Sequence, residues 1–577
     1  MTILKSFYFN LKYRFSLCVI TFGLAIFFAN TMSYAQTHYI NRKDNLDHFA
    51  DRINHLYLND TIIHRSVRPL AHGDVYNSIL NLKQSSLSLS DKYNLSHSIN
   101  TLGLKSDSLV QDNHGFWNLF YLNKAHFLEV EHKDFSFVLN PTINIQFGRD
   151  SKNDQSIYLN HRGIELWGQL DNKFYFYSSF FENQAKFFNY IEAYIEKYKS
   201  IPGQGNYKFF DSKLFNIKNG FDFSNANAYL GYRISKNSQL ELGHGRHFFG
   251  NGIRSLLLSD FSNNYFYLKF NVRVWKIHYQ SILAELNTGS SRFMVGDELL
   301  PKKYMATHYL SFKPSHKFEI GLFETVVFSR ENHFEFQYLN PVILYRTVEF
   351  FLDSPDNVII GLNFNWHLLK NSSLYGQLVL DEFKTSEFFN NPGWWGNKFG
   401  YQFGFKNFDF LGIENLDLNL EYNVVRPYTY SHNVSSPTFP ALAVSSFSHN
   451  NQALAHPLGA NFAELILNLR YQPFGKMVIN GRFIYTQVGR NTEENFGQDI
   501  LINNDSRFAN FDNTLLQGAK STITNLDLSV SYEFVHGLYL DGFLKIRSDN
   551  NESFEDVNNN YFGMGFRYNI SNTSIDY

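Results

Sequence analysis

The sequence predicts an all-β fold: a transmembrane antiparallel outer-membrane β-barrel of about 18 strands with a small N-terminal α-helical subdomain. Three observations predict it. From about residue 135 to the end, apolar and polar residues alternate with period two. The connections between these segments are alternately short and long. The final segment is amphipathic and aromatic, with Phe562, Met564, Phe566, Tyr568 and Ile570 on one parity and Gly563, Gly565, Arg567 and Asn569 on the other. The composition agrees. The 577 residues include 60 Phe, 36 Tyr and 6 Trp, yet mean hydropathy is only −0.30. A barrel reconciles the two, because lipid-facing residues alternate with lumen-facing ones and hydropathy cancels. A net charge of −2 without a basic block excludes an obvious nucleic-acid partner.

In chain order, residues 1–35 read as a secretory signal peptide. Lys5, Lys12 and Arg14 form the basic region, 15–28 is apolar, and Ser33-Tyr34-Ala35 places small residues for cleavage before Gln36. The short apolar core and the small-residue site favour cleavage over a signal anchor. Cys18, the only cysteine, lies in the apolar core, so it is no lipoprotein site. A chain cleaved after Ala35 has no thiol for a disulfide, a thiolate metal site or nucleophilic catalysis. No later stretch reaches the ~18 apolar residues of a membrane helix.

Residues 36–120 read as a helical subdomain, on the periplasmic side or plugging the barrel. Leu46, Phe49, Ile53, Leu56 and Tyr57 recur at helical spacing, a second helix begins at Asp74, and a third is capped by Ser90 and closed by Gly103. Residues 121–577 read as the barrel. Expected strand cores are 135–147, 158–170, 173–183, 224–235, 238–248, 264–273, 275–287, 305–313, 317–329, 356–368, 373–384, 397–407, 414–425, 461–472, 475–488, 523–534, 537–548 and 560–570. Turns fall at Asp171-Asn172, Lys236-Asn237, Pro314-Ser315, Lys370-Asn371, near Pro473 and at Val535-His536, and 184–223, 330–355, 426–460 and 489–522 are long polar connections. Lys406, Arg470, Arg482, Lys545, Arg547 and Arg567 all have lumen parity, as they must, since a mid-depth cation facing lipid costs ~2–4 kcal/mol. In 173–183, 275–287 and 317–329 parity assigns no face. Residues 185–200 carry a helical pattern expected to pack against the barrel mouth.

Two constellations resemble reactive sites and fail on strand geometry. His244 and His247 are three apart, so on a strand they point to opposite faces and anchor a loop rather than a metal. Asp381 and Glu382 are adjacent, so they cannot flank one glycosidic bond; salt bridges to Arg254 or Arg346 are the plainer role. No phosphate loop or nucleophile elbow occurs. The expectation is therefore a non-enzyme without cofactor or metal. Arg254, Arg346, Glu349, Asp381, Trp394 and Trp395 are the candidate ligand-binding residues: sugars offer hydroxyls to charged groups and C–H faces to rings. The competing roles are an internal charge network and, for the tryptophans, the interfacial girdle.

Four segments carry a family resemblance: Arg68-Pro69-Leu70, the run 243–259 (GHGRHFFGNGIRSLLLS), the run 338–346 (YLNPVILYR) and Leu380-Asp381-Glu382-Phe383. Through them the chain resembles the Wzi-type capsule assembly proteins, in the Bacteroidetes branch labelled RemB-type gliding motility proteins. The resemblance spans nearly the whole mature chain. It implies an 18-stranded outer-membrane barrel with an N-terminal helical bundle, outer-membrane lipid around it, and a surface or capsular polysaccharide as partner. It also implies a link to gliding motility. The alternative function is a porin or channel without a glycan-binding role.

Overall fold

The structure, a computed structural model, describes residues 38–42, 44–57, 63–80, 82, 87–103, 120–121, 123–152, 154–213, 215–289, 301–330, 334–342, 344–352, 356–382, 384–432, 444–553, 556–571 and 575–576. The expected signal peptide, with Cys18, lies outside them.

Eighteen antiparallel strands close into a barrel: β1 (Phe135–Asp150), β2 (Gln155–Leu170), β3 (Phe174–Lys186), β4 (Ile217–Ser235), β5 (Ser238–Gly245), β6 (Tyr265–Val274), β7 (Ile277–Asn287), β8 (Lys302–Ser315), β9 (Phe318–Phe328), β10 (Asn357–Leu369), β11 (Ser372–Glu382), β12 (Lys398–Asn407), β13 (Leu416–Val425), β14 (Phe462–Phe474), β15 (Met477–Arg490), β16 (Ala519–Val535), β17 (Leu538–Asn551) and β18 (Val557–Tyr568). β18 pairs with β1, Phe562 opposite Arg149, which closes the ring. Two short strands, Leu128–His132 and Lys208–Ser212, extend the edges of β1 and β4. Every expected strand core has its counterpart. Two turns move: β8 runs through Ser315 after an irregularity beyond Phe312, so the chain reverses at 316–317, and β16 runs through Val535, so its turn falls at 536–537.

Connections segregate by length. Turns such as 171–173, 236–237, 370–371, 475–476 and 536–537 lie at one end. The long connections 187–216, 246–264, 329–356, 426–461 and 491–518 lie at the other. Along most strands one parity faces outward and is apolar: Leu420 and Tyr422 are exposed on β13, while Asp417, Glu421 and Asn423 are buried. At the short-turn end the outward ring is aromatic, with Phe174, Tyr232, Trp275, Trp366, Phe474, Tyr532 and Phe534 exposed. Of the cations expected on the lumen side, Arg470, Lys545, Arg547 and Arg567 are buried, and Lys406 and Arg482 reach the interior carboxylates Asp51 and Asp576.

Among the described residues, three helices precede the barrel: α1 (Asn45–Leu56), α2 (His72–Leu80) and α3 (Leu89–Thr101). α2 begins two residues before the expected Asp74. The cap of α3 is Ser88 rather than Ser90; its hydroxyl accepts from the Asp91 amide at 3.0 Å. Phe49, Ala50, Ile53, Val75, Ile79 and Leu95 form a small core between the helices. The opposite side of α1 is polar yet buried, with Asp51, Arg52 and His55 among its buried residues. A helix buried on both sides needs polar partners for its polar face, and the inner wall of the barrel supplies them.

Candidate functional site

The N-terminal segment is tied to lumen-facing side chains near the short-turn end. Arg52 donates to Asp91 at 2.9 Å, Asp409 at 2.7 Å and Asp417 at 2.8 Å. Burial opposes its charge, but these carboxylates outweigh burial and raise Arg52 above the usual arginine range. Lys406 of β12 meets Asp51 at 2.9 Å. On the other wall Glu241 accepts from Tyr39 at 2.7 Å, Tyr267 at 2.7 Å and Tyr175 at 2.9 Å, and pairs with Lys269 at 2.6 Å. Shared buried networks of this kind are costly to break at any one member.

From the long-loop end, the connection 246–264 folds inward. It contains most of the run 243–259, and it meets the N-terminal segment in a two-stranded ladder, Phe248 opposite Arg68 and Phe249 opposite Val67. Leu256, Leu257 and Leu258 are fully buried in a cluster with Tyr309, Phe323, Val425 and Leu454. Arg254 sits in this layer. It donates to Glu464 at 3.1 Å and to Asp576 at 2.9 Å, and Glu421 accepts its amide at 3.0 Å. Against burial, the carboxylates of Glu464 and Asp576 raise its pKa above the arginine range. His456 donates to the Glu464 carboxylate at 2.8 Å, and burial holds it below the usual imidazole range. Asp576 also bonds Arg482, and Lys545 donates to the Ile575 carbonyl, so Ile575 and Asp576 lie inside the lumen. The helix expected within 185–200 forms as α4 (Asn189–Tyr198) and lies in the same mouth, where Tyr190 bonds Lys545 at 3.1 Å.

The six candidate residues therefore fall into three places. Arg254 and Asp381 are interior. Asp381 accepts the Tyr430 amide at 2.5 Å. Its neighbour Glu382 pairs with Lys398 at 2.9 Å, so the partners of these carboxylates are not the arginines expected. Arg346 and Glu349 bond each other at 2.6 Å on α5 (Tyr345–Leu352), outside the barrel wall. Trp394 and Trp395 lie at the rim of the long-loop end, with ring centroids 5.8 Å apart. The Arg507 guanidinium stands 4.3 Å from the Trp395 ring and the Lys398 ammonium 5.1 Å. Two loops are braced together here: Asn510 O accepts the Trp395 amide at 3.0 Å, and Asn513 N donates to Gly393 O at 2.9 Å. Phe389, Phe508 and Phe511 are exposed on the same loops. Reasoning on the sequence missed Arg507 and these phenylalanines. Their loops are distant in the chain, and the sequence marked 489–522 only as a long polar connection.

His244 bonds the Ala226 carbonyl at 3.1 Å and His247 the Tyr265 hydroxyl at 3.2 Å, so both anchor backbone and wall. Among the described residues, His97, Glu533 and His536 bring three possible metal-binding atoms within 4.8 Å. The two imidazoles, however, stack at 3.9 Å with an 18° interplanar angle. Stacked rings send their in-plane lone pairs side by side, not toward one ion. Glu533 is also engaged by His97 at 2.9 Å and Tyr93 at 2.7 Å.

A closed antiparallel barrel of eighteen strands with an apolar outer face, one aromatic girdle and an interior occupied by its own helices and loops defines an outer-membrane barrel protein. Within that class the family is specific. The model of the capsule assembly protein Wzi family matches residues 140–562, and this chain belongs to that family. Among solved structures, Wzi of Escherichia coli, described as an outer membrane protein involved in group 1 capsule assembly and a carbohydrate-binding β-barrel, is 14% identical, with a TM-score of 0.53 over 92% of this chain and 99% of that one. OprD of Pseudomonas aeruginosa is 10% identical (TM-score 0.39, 75% of this chain, 94% of that one). OpdK of the same organism is also 10% identical (TM-score 0.41, 76% and 98%). No curated protein matches the sequence. The family match and the fold likeness lend no support to a gliding role.

Proposed function

We propose that this protein holds exported polysaccharide at the cell surface, and that the glycan is bound at the long-loop rim around Trp394, Trp395 and Arg507. The observation that carries the reading is the Trp395 ring, flanked by Arg507 and Lys398 and set beside Trp394. An aromatic plane takes the C–H face of a sugar ring, and the partly exposed Arg507 guanidinium takes hydroxyls or carboxylates, while Lys398, fully buried against Glu382 and the Ser431 carbonyl, holds the ring from behind. Family membership and the likeness to a carbohydrate-binding barrel support the same ligand class. In this reading the short-turn end, with the helices, faces the periplasm. The protein acts by binding rather than catalysis, in keeping with an Asp381 and Glu382 already engaged by Tyr430 and Lys398.

The porin alternative is disfavoured by the interior layer of Leu256, Leu257 and Leu258 and by the Arg254–Asp576 contact across the lumen. The test is deletion of the gene, scored for surface glycan. Release of polysaccharide into the medium, with binding of that polysaccharide by the purified protein, is the expected result. Normal retention without binding would overturn the proposal.

A further inference from the structure

The connection between β9 and β10 folds back over the outside of the barrel, its described residues 334–342 and 344–352 lying over β7–β10. Ala306, Val326 and Val358 have outward parity, yet all three are buried, packed under Tyr338, Tyr345 and Val348. Beneath the segment the outer wall is polar. Tyr345 bonds the outward His308 at 2.6 Å, and the outward Glu324 accepts the Arg346 amide at 3.2 Å. Tyr279 donates to the Pro341 carbonyl at 2.5 Å. Glu324 is the cross-strand partner of Ile360, which is 45% exposed on the outward face. These polar groups thus sit at the depth of the apolar belt, where hydrocarbon would leave them unsatisfied. The segment gives each of these side chains a partner instead, although the second Glu324 oxygen, Oε2, stays unbonded.

Its own outer surface is apolar. Phe336 is 75% exposed, Val342 86%, Phe350 81% and Phe351 70%. A patch of this kind is unusual on a surface bathed in water. It continues directly into the barrel's outward belt through Ile360 and Leu322. Arg346, exposed but paired with Glu349, is a side chain that reaches from an apolar surface toward headgroups.

We propose that the 3₁₀ turn Phe336–Leu339 and α5 form a lipid-embedded shelf: the acyl chains of the bilayer leaflet on the long-loop side cover Val342, Phe350 and Phe351 and so widen the hydrophobic belt over β7–β10. A second copy of the chain is the competing occupant. Lipid is favoured because the patch is continuous with the belt that lipid already covers. The shelf is independent of glycan binding at the rim.

The test uses the full protein with Cys18→Ser, which leaves no other cysteine, reconstituted into phosphatidylcholine vesicles. Phe350→Cys and Val342→Cys are each labelled with an environment-sensitive fluorophore. Leu322→Cys on the barrel wall and Phe389→Cys on the rim serve as references. Quenching of positions 350 and 342 by spin-labelled lipid, to the extent seen at 322 and well above 389, is the expected result. Quenching by aqueous iodide as at 389 overturns the proposal. Protection from both quenchers, with cross-linking between copies, overturns it in favour of self-association. Absence of lipid quenching at 322 itself overturns the spanning orientation on which the shelf depends.

Discussion

The phenol ring of Tyr375 lies over Gly404, its cross-strand partner, so closely that a Cβ at Gly404 would stand 2.0 Å from Tyr375 Cζ. The same relation joins Tyr175 to Gly231. In each case the glycine lets the ring lie flat along the inner wall, and the hydroxyl reaches an interior acid: Tyr375 donates to Glu421 at 2.8 Å, Tyr175 to Glu241 at 2.9 Å. Gly404→Ala is expected to lift Tyr375 off the wall and break its bonds to Glu421 and Asn419. The cost is ~1–3 kcal/mol, read as a lower unfolding temperature of the detergent-solubilised barrel. An unchanged temperature would show that the ring has room to move.

Arg52→Ala leaves Asp91 and Asp417 buried without their cation. Breaking a buried charge cluster from one side costs ~3–5 kcal/mol. Because the cluster joins α1 to the barrel wall, the expected phenotype is selective: protease cleavage within the N-terminal segment, with the strands still protected. Loss of the whole barrel instead would show that the helices and the wall fold as one unit.

The N-terminal segment should loosen in acid. Burial pushes His55, His64 and His72 down to about 4, and His126 before the barrel likewise. In the released segment each would titrate near ~6.5. The folded form therefore favours the neutral rings, and their contribution is fully present above ~6.5 and lost as pH falls toward about 4, on the order of 1–3 kcal/mol per histidine. His55 stacks on His367 at 4.1 Å, so protonation also places charge against a neighbouring ring, partly offset by Asp51. Hydrogen exchange corrected for its intrinsic pH dependence should show α1 and α2 opening between pH 7 and pH 5 while β14–β17 stay protected. Equal protection at both values would refute this.

Arg254→Ala removes the cation shared by Glu464 and Asp576 and is expected to release the C-terminal residues from the lumen. Planar-bilayer recordings should change from closed for the natural protein to open or flickering for the variant. A variant as silent as the parent would mean that the leucine layer alone seals the interior.

Trp395→Ala removes the ring between Arg507 and Lys398. A buried aromatic anchor contributes ~2 kcal/mol or more to a binding site, so affinity for the surface polysaccharide should fall ~30-fold or more. Arg346→Ala, remote from the rim, should leave affinity unchanged. The reverse pattern would move the glycan site to α5.

The strands were legible because alternation is written into neighbouring residues. Parity assigned no face to 275–287 and 317–329, and the structure shows why. The lumen side of β7 is apolar, with Ile282, Ala284 and Leu286 in the interior cluster, while outward Glu324 and His308 lie under the shelf. The aromatic excess is also only partly at the lipid face: Tyr175 and Tyr375 are fully buried with their hydroxyls on interior acids, and Phe249, Phe447 and Phe462 are fully buried in the apolar interior cluster. The candidate residues were chosen by chemical type, which says nothing of neighbours, and so they scattered among lumen, rim and outer wall.

By itself, then, the sequence determined the barrel, its strand number and which face of most strands meets lipid. A period of two is a local property, enforced at every position by the opposite solvents on the two sides of the wall. Only the tertiary structure decided what fills the lumen and where a ligand could bind. Arg254 meets Asp576 and Trp395 meets Arg507 across large separations in the chain, and such contacts rest on single polar or aromatic side chains that leave no repeating signal. The shelf outside β7–β10 is the same case in reverse: a connection that reads as a polar loop becomes part of the lipid-facing surface because folding turns its apolar residues outward over a polar stretch of wall.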